Sequence, residues 1–137
     1  LKQIPVYLIS GGFRLIINPL AIYLNIPIEN VYANSILFDH ENNDEYLMFD
    51  SNEPTSESGG KALVIEHLKL KFNYRNVVMI GDGATDLESC PPADSFIGFG
   101  GNVIREKVRQ NADWFVYEFG ELIDHLSNFS SKHLILK

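Results

Sequence analysis

The stretch VVMIGDGATDLE, residues 77–88, decides the fold of this chain. Its apolar run ends in Gly81 and Asp82, and a second carboxylate, Asp86, follows four residues later. An uninterrupted apolar run that stops at a glycine-rich turn is typical of a parallel strand buried on both faces. Ligands of open parallel sheets bind beyond the carboxyl ends of the strands, so two aspartates at this tip indicate a functional site.

The rest of the chain alternates short apolar runs with amphipathic stretches. This alternation predicts an α/β, Rossmann-like fold with a mostly parallel sheet flanked by helices. Pro19 is expected to kink or shorten the first helix. The predicted strands are residues 4–10, a segment ending near 33, 76–82, 94–100 and 113–118, and the predicted helices are 13–24, 61–72, 85–89, 103–110 and 120–128.

Residues 35–50 depart from that alternation. Two alternating segments, 35–39 and 45–50, flank the polar tip 40–44, which predicts a β-hairpin excursion from the sheet. We expect one domain over residues 1–127 and a tail over 128–137. Because Leu1 is not a methionine and lies three residues before an apolar run, we expect the chain to be a fragment of a longer protein.

Composition argues against several classes of partner. The chain has 137 residues and a formal charge of −7, which disfavours nucleic acid and anionic membranes because both require a basic face. A small anionic substrate stays compatible, since a bound divalent cation reverses the local field. No apolar run reaches the roughly eighteen residues of a membrane span. The single cysteine, Cys90, cannot form an internal disulfide, which predicts a reducing compartment, the cytoplasm.

Asp82 and Asp86 are the first candidate site residues. Glycines around Asp82 permit a tight turn close to a ligand, and paired carboxylates suit a hard divalent cation. The alternative is structural, because Asp82 or Thr85 could cap the short helix that follows. The pattern alone does not choose between metal binding and capping.

Ser10-Gly11-Gly12 follows the first predicted strand and precedes a helix. A hydroxyl with backbone amides at a helix start is suited to phosphate, and the alternative is a simply capped turn. A serine nucleophile lacks a supporting histidine, and Gly-x-Ser-x-Gly is absent.

Lys61 follows Gly59-Gly60 and begins a helix. A cation there opposes the helix dipole, which indicates another reason for the charge, such as a phosphate; the alternative is a solvated lysine. The surrounding SGGKA is not a Walker A loop, since Thr55 replaces its first glycine. GFGGN, residues 98–102, lacks dinucleotide-loop spacing and is interpreted as a turn that caps the next helix.

Four blocks taken in order resemble the phosphoserine phosphatases of the haloacid dehalogenase-like superfamily, from about residue 6 to 119. They are LISGGFR at 8–14, ESGGK at 57–61, MIGDGATD at 79–86 and DSFIGFGGNVIR at 94–105. The resemblance implies that Ser10 and the amides of Gly11 and Gly12 hold the substrate phosphate. It also implies that Lys61 neutralises developing charge and orients the nucleophile.

The same resemblance implies a magnesium cofactor and a substrate. Asp82 would be a Mg²⁺ ligand, Asp86 would support that site from outside the ligand sphere, and Thr85 would lie near the amino-acid part of the substrate. The implied reaction converts L-phosphoserine to L-serine and phosphate, the last step of serine biosynthesis. The implied partners are these small molecules, with a homodimer as the candidate assembly and no nucleic acid or membrane.

One departure from the family pattern is serious. The family's Asp-x-Asp motif, which supplies the nucleophile and the general acid and base, occurs nowhere in the chain, and the helical cap is absent too. The chain therefore resembles the C-terminal portion of the enzyme, an incomplete core without its central strand, and alone it is expected to be inactive. The alternative is a truncated, catalytically inactive paralogue or a subunit-binding fragment.

Overall fold

The structure is a computed structural model that describes residues 4–39, 41 and 45–133. For residues 128–133 it describes the backbone alone. The chain divides into two compact units, Ile4–Tyr74 and Arg75–Lys137. In the described part of the chain, no helix is both long and apolar enough to cross a bilayer.

The Ile4–Tyr74 unit contains one parallel strand pair and one antiparallel hairpin. The parallel pair, β1 and β2, has Leu8 opposite Val31. The elements in order are β1 (Leu8–Phe13), α1 (Arg14–Tyr23), a 3-10 turn (Ile28–Asn30), β2 (Val31–Asn34), the hairpin strands β3 (Ile36–Asp39) and β4 (Glu45–Phe49), a second 3-10 turn (Pro54–Ser56) and α2 (Gly60–Phe72).

One hydrophobic cluster of this unit lies between α1 and the parallel pair, and the buried side chains of Val64, Ile65 and Leu68 lie on α2. Ala21 of α1 packs with Val31 and Ala33 of β2, and all three are buried. Ile17 of the same helix packs against this group, so the faces of α1 that carry Ile17 and Ala21 point inward. The helix continues through Pro19, although proline provides no N–H for an intrahelical bond.

The Arg75–Lys137 unit is a three-stranded parallel sheet with helical connections, in the order β5-β6-β7. Phe96, Val108 and Val116 form fully buried parts of its core. The elements are β5 (Val78–Gly81), α3 (Ala84–Leu87), β6 (Ser95–Phe99), α4 (Glu106–Asn111), β7 (Trp114–Val116) and α5 (Phe119–His133).

Aspartates fix the starts of the strands in this unit. Asp113 Oδ2 accepts hydrogen bonds from the Phe96 N–H and the Ser95 hydroxyl, both at 2.8 Å. Asp94 Oδ2 accepts from the Val77 N–H at 2.7 Å in the same manner. The backbone bond from Phe96, followed by the bond from Ser95, lowers the pKa of the Asp113 carboxyl because both stabilise its ionised form.

Aromatic contacts join α5 to the rest of this sheet unit. The ring of Trp114 in β7 lies 5.0 Å from that of His125 in α5. Phe99 and Phe119 stack with their ring centroids 4.6 Å apart. The end of β6 and the third strand therefore both contact the last helix through ring faces.

The predicted α/β architecture with parallel strands and flanking helices is confirmed. The hairpin is also present, with Ile36 opposite Phe49, while positions 40 and 42–44 of its predicted tip lie outside the described residues. The last helix continues beyond residue 128 to His133.

Three details of the strand predictions are wrong. The first strand begins at Leu8 instead of residue 4, and it continues through Gly11 and Gly12 because a register shift between Ile9 and Phe13 accommodates them. The apolar runs at residues 4–10 and 76–82 were both expected to form strands buried on both faces, and neither β1 nor β5 is buried in that way. In β5, Met79 is buried whereas Val78 and Ile80 on the opposite face are exposed, because the described residues cover one side of this strand.

Replacing Asp113 by asparagine tests the strand-fixing bonds. Since its pKa is lowered in the folded state, Asp113 contributes stability above the unfolded pKa of about 3.9, and the contribution is lost as pH falls through the folded value. We expect Asp113→Asn to lower the Tm at pH 7 and the difference from wild type to vanish in strong acid. Thermal unfolding followed by circular dichroism measures this.

The matched control for this prediction is Asp124→Asn, which removes the same charge from an exposed position on α5. Its Tm difference from wild type should stay small at every pH. An Asp113→Asn difference that persists unchanged in acid would contradict the proposed role of the ionised carboxylate.

Candidate functional site

Ser10, Gly11 and Gly12 form the irregular end of β1. The Ser10 Oγ accepts a hydrogen bond from the Gly12 N–H at 3.0 Å, so the hydroxyl hydrogen of Ser10 stays available to donate. A side chain at Gly11 would meet nothing within 4 Å, so the backbone there borders open space. This turn can present a hydroxyl donor to an anion, but it uses the Gly12 amide internally.

Asn34, at the end of β2, connects this turn to the segment before α2. Its Nδ2 donates to the Gly11 carbonyl at 2.9 Å, and its Oδ1 accepts from the Thr55 hydroxyl at 2.7 Å. Thr55 is itself buried in the 3-10 turn. One amide side chain therefore links the Ser-Gly-Gly turn to the residues that precede Gly59-Gly60-Lys61.

The first residue of α2 packs directly against the same 3-10 turn. A Cβ at Gly60 would lie 1.8 Å from the Pro54 carbonyl oxygen and 2.9 Å from the Thr55 Cα, so no larger residue fits. Gly59 has a φ of +81°, a conformation that glycine adopts readily. The two glycines thus set the position of Lys61, the second residue of the helix.

An ion pair lies beside this network. The Arg14 guanidinium donates to both carboxylate oxygens of Glu53, at 2.6 and 3.0 Å, and to the Val31 carbonyl at 2.8 Å. The Ser35 hydroxyl donates to the same carboxylate at 3.2 Å. The bonds to Glu53 raise the pKa of Arg14, so this arginine stays charged and bound within the protein.

The loop after β5 holds the two candidate metal-binding aspartates. Asp86 is 5% exposed, and its Oδ2 accepts a hydrogen bond from the Gly83 N–H at 3.0 Å, at the start of α3. A Cβ at Gly81 would lie 2.2–2.5 Å from three atoms of the Asp86 side chain, so Gly81 leaves the space that this side chain fills. Asp86, instead of Asp82 or Thr85, therefore caps the helix.

Asp82 is about half exposed at the tip of the strand. Arg105, the residue just before α4, donates from Nη1 to the Asp82 carboxylate and to its carbonyl oxygen at 2.9 Å. The carboxylate thus carries an internal counter-ion.

Carboxylate oxygens are the donors that a hard divalent cation prefers. Mg²⁺ in proteins is commonly held by one or two carboxylates and completes its coordination with waters and substrate phosphate oxygens. Asp82, supported by the anchored Asp86, fits that donor set. Among the residues that the structure describes, no group of three or more His, Cys, Asp or Glu side chains is positioned to hold a metal.

The prediction that GFGGN caps the next helix is wrong. The helix α4 begins at Glu106, and its N-cap is Arg105, three residues beyond the motif. A Cβ at Gly101 would lie 2.4 Å from the Phe99 ring, and one at Gly100 would lie 2.6 Å from that of Phe115. These glycines therefore leave room for aromatic rings.

The structure places the predicted site residues in two groups. Ser10, Gly11 and Gly12 are linked through Asn34 and Thr55 to the turn before Lys61, all within Ile4–Tyr74. The second group, Asp82, Thr85 and Asp86, shares one loop in the other unit.

Sequence reasoning missed Asn34 and Arg105. Asn34 could have been found as a polar residue at the end of a predicted strand, since ligands of parallel sheets bind beyond strand ends. The basic residue within the DSFIGFGGNVIR block was the signal for Arg105.

Known proteins resemble the chain closely. Human phosphoserine phosphatase is 55% identical over 125 residues, which covers 91% of this chain and 55% of that protein. The chloroplastic phosphoserine phosphatase of Arabidopsis thaliana is 53% identical over 127 residues, covering 91% and 42%. A phosphoserine phosphohydrolase-like protein from Francisella tularensis matches with a TM-score of 0.75 at 28% identity, covering 90% and 56%. No family model matches.

The fold and these relatives define a haloacid dehalogenase-like α/β protein. Within that class, the chain belongs to the phosphoserine phosphatase family. The chain spans about half the length of the curated relatives it matches.

Gly60→Ala tests the close packing that places Lys61. Because the new Cβ would collide with the Pro54 carbonyl, we expect a loss of roughly 2–3 kcal/mol in the free energy of unfolding. Denaturant unfolding measures it. The control is Gly120→Ala near the start of α5, where a Cβ meets nothing within 4 Å and stability should be equal or slightly higher. Equal stability of both variants would contradict the packing described.

Proposed function

We propose that this chain provides the phosphate-binding and Mg²⁺-binding part of a phosphoserine phosphatase, which hydrolyses L-phosphoserine to L-serine and phosphate. The observation that carries the proposal is the 55% identity to human phosphoserine phosphatase over 91% of the chain. The polar network at the end of β1 and the aspartates at the end of β5 support it chemically.

The phosphate would bind at the Ser10-Gly11-Gly12 turn. The Ser10 hydroxyl keeps its hydrogen for a phosphate oxygen because its own oxygen is engaged by the Gly12 N–H. Asn34 holds the Gly11 carbonyl and thereby fixes the turn. Lys61, at the start of α2, would neutralise the charge that develops on the phosphate.

The cation would bind at Asp82. Asp86 would keep the loop rigid through its bond to the Gly83 N–H, and Thr85 would contact the amino-acid part of the substrate. When bound, Mg²⁺ would polarise a phosphoryl oxygen and offset the negative charge of the phosphate. Arg105, which contacts the Asp82 carboxylate, would have to release that carboxylate or share it with a bound cation.

The nucleophile is the part that the chain does not provide. No Asp-x-Asp occurs in its 137 residues, so the covalent route of the family requires carboxylates from elsewhere. This observation favours a second candidate, a catalytically inactive product that binds phosphate or an intact subunit. Both candidates are proposed to act in the cytoplasm, since the one cysteine fits a reducing compartment.

A chimeric enzyme tests the proposed function. The part of human phosphoserine phosphatase that this chain does not match is fused to the chain, and phosphate release from L-phosphoserine is measured with Mg²⁺. We expect turnover by the chimera and none by the 137-residue chain alone. Asp82→Asn should reduce kcat in the chimera by roughly a hundredfold or more, because a metal ligand is lost.

The control variant for the chimera is Asp124→Asn, which changes an exposed carboxylate on α5 and should keep full turnover. A folded chimera without activity would refute the phosphatase proposal and favour the inactive product. Turnover by the chain alone that Asp82→Asn abolishes would show that another carboxylate acts as the nucleophile.

Arg105→Gln tests the internal counter-ion. Removing the arginine should raise the affinity of the chain for Mn²⁺, a paramagnetic substitute for Mg²⁺, by about 1.4- to fivefold, because an exposed ion pair contributes roughly 0.2–1 kcal/mol. Electron paramagnetic resonance of free Mn²⁺ measures the affinity.

The matched control is Arg109→Gln, which removes the same charge from α4 but breaks an ion pair with Glu106. An equal effect of both variants would show that net charge, not the contact with Asp82, controls cation binding.

A further inference from the structure

The Ser-Gly-Gly turn and the segment before α2 are joined by a second link besides Asn34. Arg14, two residues beyond Gly12, is the first residue of α1, and Glu53 is the residue just before the 3-10 turn Pro54–Ser56. The Arg14 guanidinium binds both carboxylate oxygens of Glu53 through separate nitrogens, at 2.6 and 3.0 Å. Such a planar fork fixes the direction of the contact as well as its distance.

Helix stability does not explain an arginine at this position. A cation in the first turn of a helix opposes the helix dipole, and α1 has no acidic residue in its first turn to offset it. The N-cap residue, Phe13, makes no side-chain hydrogen bond that caps the helix. The bonds of Arg14 to Glu53 and to the Val31 carbonyl instead attach the start of α1 to the rest of the unit.

The ion pair is largely shielded from water. The side chain of Arg14 is 28% exposed and that of Glu53 is 16% exposed, and the Ser35 hydroxyl donates to the same carboxylate at 3.2 Å. Salt screens a partly buried pair less than a pair on the surface. Removing one partner would leave the other without its counter-ion, so this link should hold its geometry more firmly than an exposed ion pair.

Glu53 is connected to Lys61 through the packing of Gly60. The Glu53 carbonyl accepts the Ser56 N–H at 3.0 Å and so begins the 3-10 turn. The carbonyl of the next residue, Pro54, borders Gly60 so closely that a Cβ there would lie 1.8 Å away. Because this contact leaves no free space, a displacement of Glu53 would also move the start of α2, where Lys61 is the second residue.

A direct role of Arg14 in phosphate binding is the weaker interpretation. Its Nε, Nη1 and Nη2 atoms all donate to oxygens of the protein. The Glu53 carboxylate also places a negative charge beside the guanidinium, and that charge would repel a phosphate. Arg14 is therefore better suited to hold other groups in place than to bind an anion.

We propose that Arg14 and Glu53 are positioning residues that fix Lys61 relative to the Ser-Gly-Gly turn. The pair holds the start of α1, next to the turn, against the segment on which α2 begins. Only arginine supplies both the fork for Glu53 and a third bond to the Val31 carbonyl, so lysine would keep the charge and lose the geometry. The consequence for catalysis rests on the proposed function, whereas the link itself is measurable in the chain alone.

Amide hydrogen exchange of the purified chain, followed by NMR spectroscopy, tests the link without any activity. The Gly60 and Leu63 amides form backbone hydrogen bonds at the start of α2. We expect Arg14→Lys to accelerate their exchange by roughly fivefold or more, because the start of α2 would open locally. The reference is the Ile26 amide, which is hydrogen-bonded just beyond the end of α1 and should change little.

Arg109→Lys is the matched control, since Arg109 forms the same forked pair with Glu106 on α4, at 3.0 and 2.8 Å. This substitution should leave the exchange at α2 unchanged. Equal acceleration of all three amides in Arg14→Lys would show only a loss of global stability, and unchanged exchange at α2 would show that the link is absent. Either result would overturn the proposal.

A double-mutant cycle in the chimeric enzyme tests the effect on catalysis. Arg14→Lys should lower kcat for L-phosphoserine roughly tenfold and change KM less than about threefold, because Lys61 acts on charge that develops in the transition state. In the Lys61→Ala background the same substitution should lower kcat less than about twofold, since the residue that it positions is already absent. Equal losses in both backgrounds would contradict positioning through Lys61.

Glu53→Gln separates positioning from direct phosphate binding. Positioning predicts a loss of kcat similar to that of Arg14→Lys, because the amide offers the fork one acceptor oxygen instead of two. A lower KM with unchanged kcat would assign Arg14 to the phosphate and overturn the proposal. A chimera without turnover would refute the proposed function alone, and the hydrogen exchange of the chain would still decide whether the link exists.

Discussion

The side-chain amide of Asn34 holds together the polar end of the Ile4–Tyr74 unit. It donates to the Gly11 carbonyl and accepts from the buried Thr55 hydroxyl, so it joins the ends of β1 and β2 to the turn before α2. The bond from Thr55 is partly buried, and a buried polar group left without a partner costs more than a hydrogen bond ordinarily contributes. Asn34 therefore connects the geometry of the Ser-Gly-Gly turn with that of the segment before α2.

In each unit, a glycine allows close packing that a side chain at its position would prevent. Gly60 lets α2 begin directly against the Pro54 carbonyl, and Gly81 leaves the volume that the Asp86 carboxyl occupies. In each case a glycine allows a closer approach than any other residue would. Gly60 thereby sets where α2 begins beside Lys61, and Gly81 makes room for the carboxyl of Asp86.

Periodicity predicted much of the fold because the parallel strands and the hairpin each follow from the pattern of apolar and turn residues within their own segment of sequence. The strand that ends at Gly81 and the hairpin over residues 36–49 follow directly from alternation and turn residues. The extent of β1 could not be predicted, since a register shift lets Gly11 and Gly12 remain within the strand. One-sided burial of β5 depends on which elements cover it, and its own apolar run does not contain that information.

The sequence predicted which residues form the candidate site, but it did not predict their hydrogen-bond and ion-pair partners. Ser10, Lys61, Asp82 and Asp86 stand out because glycines surround them at strand or helix ends. Their partners lie far away in sequence: Asn34 is 23 residues from Gly11, and Arg105 is 23 residues from Asp82. Such pairings depend on the tertiary fold, so no local pattern could separate helix capping by Asp86 from capping by Asp82.

Trp114, whose ring contacts that of His125, provides an intrinsic fluorescent probe of unfolding. Trp114 is the sole tryptophan, and it lies in β7, so its emission follows the Arg75–Lys137 unit alone. The Ile4–Tyr74 unit absorbs through tyrosines, including the pair Tyr7 and Tyr74, whose hydroxyls lie 2.8 Å apart. Five of the six tyrosines lie in that unit and only Tyr117 lies in the other, so tyrosine absorbance mainly follows Ile4–Tyr74. Comparing its transition with that of the tryptophan emission reveals whether the two units melt as one cooperative body.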